Sequence, residues 1–202
     1  IDKCRDQMLN LIENIRAKIE NGARVSDAEA LALFESDDLL AVGELAAMAN
    51  RRINGDKVYF NVNRHINYTN ICVNRCTFCA FSREDEADQG SYTLALNDIL
   101  ERAAEAADAG ATEIHMVGGL HPDLPFDFYL EILAALKADM PQLHIKAFTA
   151  VEVYYFASLT RQSPADVVAE LKAAGLDSMP GGGAEIFAAQ VRKQICPEKI
   201  SG

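Results

Sequence analysis

The chain has 202 residues, half of them apolar, with 19 basic against 30 acidic side chains and a net charge of −11. A chain of that size and apolar content can bury a core, which excludes an intrinsically disordered segment. The acidic balance argues against a protein that tracks a nucleic-acid backbone, and no apolar run reaches the length of a membrane span. The charged opening Asp2-Lys3-Cys4-Arg5-Asp6 lacks a signal-peptide core, so a cytoplasmic protein with reduced cysteines is expected.

Residues 1–55 read as a helical extension. Leu9, Ile12, Ile15 and Ile19 recur at helical spacing until Asn21-Gly22. Ser26, with Glu29 three residues on, is a capping box for a second helix carrying Leu31, Leu33 and Phe34. Ser36 is expected to open a third, with Leu39, Leu40, Leu45 and Met48, ending near Asn54-Gly55. No chemistry suggests itself here, and packing is the expectation.

The second domain, residues 56–202, begins where the period changes. Val58, Phe60 and Val62 alternate with Tyr59 and Asn61, which reads as a strand. Residues 65–71 read as a second strand, running into a loop that carries Cys72, Cys76 and Cys79. A charged segment, 83–90, follows. Thr93 or Asn97 then caps a helix with Ile99, Leu100, Ala103 and Ala107, closed at Gly110. Residues 112–117 form a strand ending in Gly118-Gly119, and 126–138 a helix stopped before Pro141. Residues 144–151 read as a strand. Ser163 caps a helix with Pro164 in its first turn and Gly175 at its end. A strand at 176–179 leads into Pro180-Gly181-Gly182-Gly183, and a last helix covers 185–195.

Strand and helix thus alternate four times from His65 onward. That pattern predicts an α/β fold of parallel strands joined by right-handed crossovers. In such folds chemistry gathers at the C-terminal ends of the strands. The cysteines, Gly118-Gly119, Glu152 and the glycine run all fall there.

Three of the five cysteines lie within eight residues, spaced by three and by two. Thiolates so placed can converge on one soft metal centre. Three are one short of the four that an iron–sulfur cluster takes, which would leave one iron open to a small molecule. A zinc site with His65 or another residue as fourth ligand is the alternative on the same cysteines. Cys4 and Cys196 stand far off and read as ordinary small residues.

The Cys-x3-Cys-x2-Cys loop with Phe78, set after a strand, resembles the radical S-adenosylmethionine (SAM) superfamily. Over nearly the whole chain the similarity is to the aminodeoxyfutalosine synthase (aminofutalosine synthase) family of the futalosine route to menaquinone. It is carried by His65-Ile66-Asn67-Tyr68-Thr69-Asn70, Gly118-Gly119-Leu120-His121-Pro122, Lys146-Ala147-Phe148-Thr149-Ala150-Val151-Glu152, Pro180-Gly181-Gly182-Gly183-Ala184-Glu185 and Ile195-Cys196-Pro197-Glu198-Lys199-Ile200-Ser201. Dehypoxanthine futalosine cyclase and the deazaflavin (F0) synthases share the cysteine loop and glycine motifs. Lys146 to Glu152 and Cys196-Pro197 look more like the synthase.

The resemblance implies a partial (β/α) TIM-type radical SAM barrel behind an N-terminal helical extension. Four strand–helix units occur where the family's barrel has more, so the sequence is expected to be the N-terminal part of a longer enzyme. Cys72, Cys76 and Cys79 would hold a [4Fe–4S] cluster whose open iron binds SAM. A flavodoxin or ferredoxin would supply the electron that cleaves SAM to methionine and a 5′-deoxyadenosyl radical. That radical would add to 3-[(1-carboxyvinyl)oxy]benzoate, with loss of bicarbonate, giving aminodeoxyfutalosine. Phe78 would pack near adenine and Glu152 would meet the ribose. Gly118, Gly119, Gly181 and Gly182 would let backbone approach SAM. His65, Arg83 and His121 are the candidates to pair with the substrate's two carboxylates. The rival outcomes are the cyclase, an F0 synthase subunit, or a non-catalytic iron–sulfur or zinc module.

Overall fold

The computed structural model describes residues 2–183 and 185–201, without the side chains of 2–9. The expected roles of Leu9 and Cys4, and Ala184 of the glycine motif, therefore lie outside the described residues. The chain divides into two compact units, Ile1–Phe60 and Asn61–Gly202.

The first unit is helical: α1 (Asp2–Glu20), α2 (Asp27–Phe34) and α3 (Leu39–Asn54). Ile12, Ile15 and Leu45 are buried, with Leu11, Ile19, Val25, Leu33 and Ala41 packed against them. The capping box forms as the sequence predicts. The Glu29 N–H donates to Ser26 Oγ, and the Ser26 N–H donates to Glu29 Oε2 at 2.8 Å. The Lys18 ammonium, 2.6 Å from the same carboxylate, and the Ser26 donors hold Glu29 down to about 2. The cap of α3 is Asp38, not Ser36. Asp38 accepts from the Ala41 N–H, while the Ser36 hydroxyl accepts from the Asp38 N–H at 3.1 Å, a turn that sets the cap in place. Leu31, Phe34, Leu39 and Leu40 are exposed rather than packed.

The second unit is built on a parallel sheet, β1 (Asn63–His65), β2 (Glu113–Met116) and β3 (His144–Ala147), in that order. Helix α4 (Leu96–Asp108) crosses from β1 to β2, and α5 (Phe126–Asp139) from β2 to β3. Helices α6 (Ala150–Thr160), α7 (Pro164–Ala174) and α8 (Ala189–Ile195) follow. The architecture is α/β, part of a (β/α) barrel. Ile114, Met116, Ile145 and Ala147 are fully buried in one cluster with Ile99, Tyr129, Leu133, Phe156 and Leu171 of the helices. The alternate strand residues, Asn63, His65, Glu113, His115, His144 and Lys146, are polar and share the other face. Among the described residues no helix is long and apolar enough to cross a membrane.

Several elements depart from the sequence prediction. Residues 58–62 form no strand: Val58, Tyr59 and Phe60 are exposed, and the alternation finds no ladder partner. Pairing begins at Val62, whose carbonyl accepts the Thr112 N–H at 2.7 Å. β1 ends at His65 because the chain beyond it turns away into isolated bridges, Thr69 with Thr93 and Ile71 with Arg83. Neither Thr93 nor Asn97 caps α4. Thr93 Oγ1 pairs with Thr69 Oγ1, and the Ala95 N–H donates to Asp98. β3 stops at Ala147, since Thr149 caps a helix, α6, where a strand was expected to continue. The expected strand at 176–179 is reduced to one parallel bridge, Lys146 with Ser178. Helix α8 starts at Ala189, four residues after the expected 185. Ser163, Pro164 and Gly175 bound α7 as predicted.

Candidate active site

The cysteine loop is fixed along both sides. Asn70 supplies the near anchor: its Nδ2 donates to the Gly90 carbonyl, its Oδ1 accepts the Tyr92 N–H, and its carbonyl accepts the Arg83 N–H. The Cys72 N–H donates to the Arg83 carbonyl and the Val73 N–H to that of Leu120. The far side is held by the segment after α8. The Thr77 N–H donates to the Ile195 carbonyl at 2.8 Å, and the Arg75 N–H to Glu198 Oε2 at 2.8 Å.

All three thiols are free and line one cavity of about 370 Å³ with Phe78, His115 and Gly118. They share a wall without being drawn to a point: among the described residues no three metal-ligating side chains converge. Burial pushes the Cys76 thiol up, and the Lys199 ammonium pulls against it. As a donor set the trio suits a soft, thiolate-ligated cluster in kind, and all three stand on one cavity wall. Cys196 is buried and lines a different groove, and His115, not His65, stands on the cavity wall. Phe78 is half-exposed at the cavity, with Lys199 Nζ 5.6 Å from its ring centre.

Gly118 and Gly119 are required by the chain itself. A Cβ on Gly119 would lie 2.0 Å from the Ile71 carbonyl oxygen, and one on Gly118 would lie 2.4 Å from the Tyr68 ring. The space that missing side chains leave is filled by the strand entering the cysteine loop. Gly181 differs: nothing stands within 4 Å of its Cβ position, and it lines the cavity with Gly182.

Glu152 occupies the third position of α6 and is buried. Each carboxylate oxygen accepts two donors. Oε1 takes the Tyr68 hydroxyl at 2.5 Å and the Gly118 N–H at 3.0 Å; Oε2 takes the N–H and hydroxyl of Thr149, both at 2.7 Å. Burial lifts its pKa above the ordinary value, while the four donors pull it back. Burial also raises Tyr68 well above the usual phenol value, so Tyr68 stays a donor. The carboxylate thus ties β1's continuation, the glycine turn and the start of α6 together at the cavity edge.

The three carboxylate-pairing candidates separate. The Arg83 guanidinium donates to the carbonyls of Ala80, Phe81, Ser82 and Gln89. His121 is buried, its Nδ1 accepting the Asp123 N–H and its carbonyl the Tyr155 hydroxyl. His65 stands on the open sheet face, its ring 4.4 Å from that of His115. His115 lines the cavity though the sequence reading did not single it out, and Lys146 pairs with it across the sheet. Their place depends on strand register, which no local pattern encodes.

A parallel α/β barrel with three loop cysteines and a glycine turn at its strand ends defines a class. The family model for the radical SAM superfamily matches residues 66–200, and the chain belongs to that superfamily. Two curated relatives are similar over most of this chain. A 5-amino-6-(D-ribitylamino)uracil–L-tyrosine 4-hydroxyphenyl transferase from Methanopyrus kandleri is 49% identical over 81% of the chain and 44% of its own length. An aminodeoxyfutalosine synthase from Streptomyces coelicolor is 42% identical over 92% of the chain and 48% of its own length. The crystal structure of methylornithine synthase (PylB) matches the fold with a TM-score of 0.69 at 15% identity, over 92% of this chain and 52% of that one. The chain spans about half the length of the curated relatives it matches.

Proposed function

We propose that the chain is part of an aminodeoxyfutalosine synthase acting on 3-[(1-carboxyvinyl)oxy]benzoate in the cytoplasm. What supports this reading is the segment Ile195 to Lys199, which by sequence is similar to the synthase and which closes over the cysteine loop through Thr77, Arg75 and Phe78. Similarity to the Streptomyces coelicolor synthase over 92% of the chain agrees with it.

Cys72, Cys76 and Cys79 hold a [4Fe–4S] cluster. When bound, the cluster and SAM supply one-electron chemistry and the adenosyl group, with a flavodoxin or ferredoxin as electron source. The chain's own residues bind and orient. Val117, Leu120 and Val151 give the cavity a dry wall. The open backbone at Gly181 admits close ligand approach, while Gly182 beside it packs on the Thr149 side chain, and Phe78 offers a ring for adenine. Glu152 holds the Gly118 N–H and so fixes the turn beside Cys72. A second reading, the tyrosine 4-hydroxyphenyl transferase, is favoured by the 49% identity to the Methanopyrus kandleri relative.

Anaerobic reconstitution of the full-length gene product tests both. It is incubated with SAM, reductant, and either the enolpyruvyl benzoate or tyrosine with 5-amino-6-(D-ribitylamino)uracil. Aminodeoxyfutalosine in the mass spectrum is the expected product. A tyrosine-derived adduct in its place would move the assignment to the second reading. A colourless protein holding one zinc would sink both.

A further inference from the structure

Parallel pairing sets His65 opposite His115 and His115 opposite Lys146, in one layer across β1, β2 and β3. Neighbouring strands stand about 4.8 Å apart, so the three side chains share one face within about 10 Å. The two imidazole rings are tilted by 33° with centres 4.4 Å apart. His115 is half-buried and lines the cavity that holds the thiols.

Lys146 carries the fixed positive charge of this row, and it faces a separate cavity with Asn61, Glu113 and His144, where the Glu113 carboxylate offsets it. Lys146 Nζ lies 3.1 Å from Glu113 Oε2, and Asn61 donates to the same carboxylate. His144, beside Glu113 in the next layer, is bonded to Ser178 Oγ at 2.7 Å. Elsewhere on the cavity wall Glu152 already accepts four donors and Glu185 is paired with Lys199. The remaining ionisable groups on that wall are the thiols of Cys72, Cys76 and Cys79. Burial first, then His65 and Lys146, push His115 below the ordinary imidazole value, and Glu113 alone opposes them.

We propose that His115 and its ring neighbour His65, with Lys146 next to them in the layer, form an anion subsite that takes a carboxylate of an aromatic acid substrate. Imidazole and ammonium donors make charge-assisted hydrogen bonds to carboxylate, and the apolar wall at Val117 and Leu120 suits the ring. An arriving anion removes the like-charge penalty on His115, so binding carries a proton in with it. The proposal rests on the function proposed above only for which acid binds, because enolpyruvyl benzoate and tyrosine both carry a carboxylate on an aromatic frame.

The test is binding, not turnover. The cluster-loaded full chain is titrated with 3-(carboxymethoxy)benzoate, a saturated dicarboxylate, by calorimetry in buffers of different ionisation heat. Wild type is expected to take up a proton on binding, to lose affinity as pH rises from about 6 to about 8, and to ignore the neutral diamide. His115→Gln is expected to weaken binding about tenfold or more and to flatten the pH profile. Unchanged affinity and profile in H115Q, or binding by wild type without proton uptake, overturns the subsite. Should H115Q fail to fold, the wild-type proton uptake decides alone. Failure of the synthase assignment appears elsewhere, in the product analysis, and leaves this binding intact.

Discussion

Along β2, Ile114 and Met116 turn toward the helices while Glu113 and His115 turn to the open side, and the same division runs through β3, whereas β1 is exposed throughout, with Arg64 in register with Ile114. In β2 and β3 the packed face is apolar, completely buried and closed by α4, α5 and α7. The open face is polar, with Glu113 bonded to Lys146 and Asn61, and His144 bonded to Ser178. One strand therefore serves two purposes by alternation. The odd residues of β2 are polar and lie on the open face, and the even ones hold the fold. Stability and chemistry can be altered separately by substituting neighbours.

The sharpest check of that division uses adjacent residues. Ile114→Ala opens a cavity under the helices and should cost about 2–5 kcal/mol, read as a fall in the urea midpoint. His115→Gln on the other face should stay within about 1 kcal/mol of wild type. Equal losses in the two variants would break the comparison. Next in size is Gly119→Ala, at the exit from β2. Its new Cβ would meet backbone at the Ile71 carbonyl, and about 1–3 kcal/mol should be lost. A melting temperature unchanged by that substitution would mean the turn and the cysteine loop are not packed as described.

The smallest effect is a pH dependence confined to the open face. The folded-state pKa of His115 is depressed below its ordinary 6.5. As pH falls, the unfolded chain takes up that proton first. The contribution to stability is present above about 6.5 and is lost as pH falls through the lowered folded value. Wild type should thus lose more thermal stability than H115Q between about pH 7.5 and about pH 5. Parallel curves would show that the face carries no such strain.

What could be read from sequence followed the range of the signal. Ser26 with Glu29, Ser163 with Pro164, and the glycine pair after β2 are local arrangements, and all three stand in the structure where sequence placed them. Helix α6 was missed because Val151, Val153, Tyr154, Tyr155 and Phe156 favour strands, and tertiary packing of Val153 and Phe156 overrode that preference. A local clue was present nonetheless: Thr149 and Glu152 have capping-box spacing. Residues 58–61 alternate like a strand but have no ladder neighbour, pairing begins only at Val62, and pairing is a non-local fact. The clustering of three cysteines on one loop was legible from spacing, and the loop sets all three on one cavity. His115 and Lys146 were not legible as a pair, because what brings them beside His65 is the register of three strands far apart in sequence.

The four bonds to Glu152 also bear on how the sheet finds its alignment. Two come from Thr149, three residues away, and can form as soon as α6 starts. The other two come from Gly118, 34 residues away, and Tyr68, 84 residues away, and need all three strands in place. Sliding β3 one residue along β2 would carry the carboxylate off both partners and strand a charge in the interior. Glu152 thereby works as a proofreading pin: a chain that assembles in the wrong frame is penalised at the residue that begins its next helix.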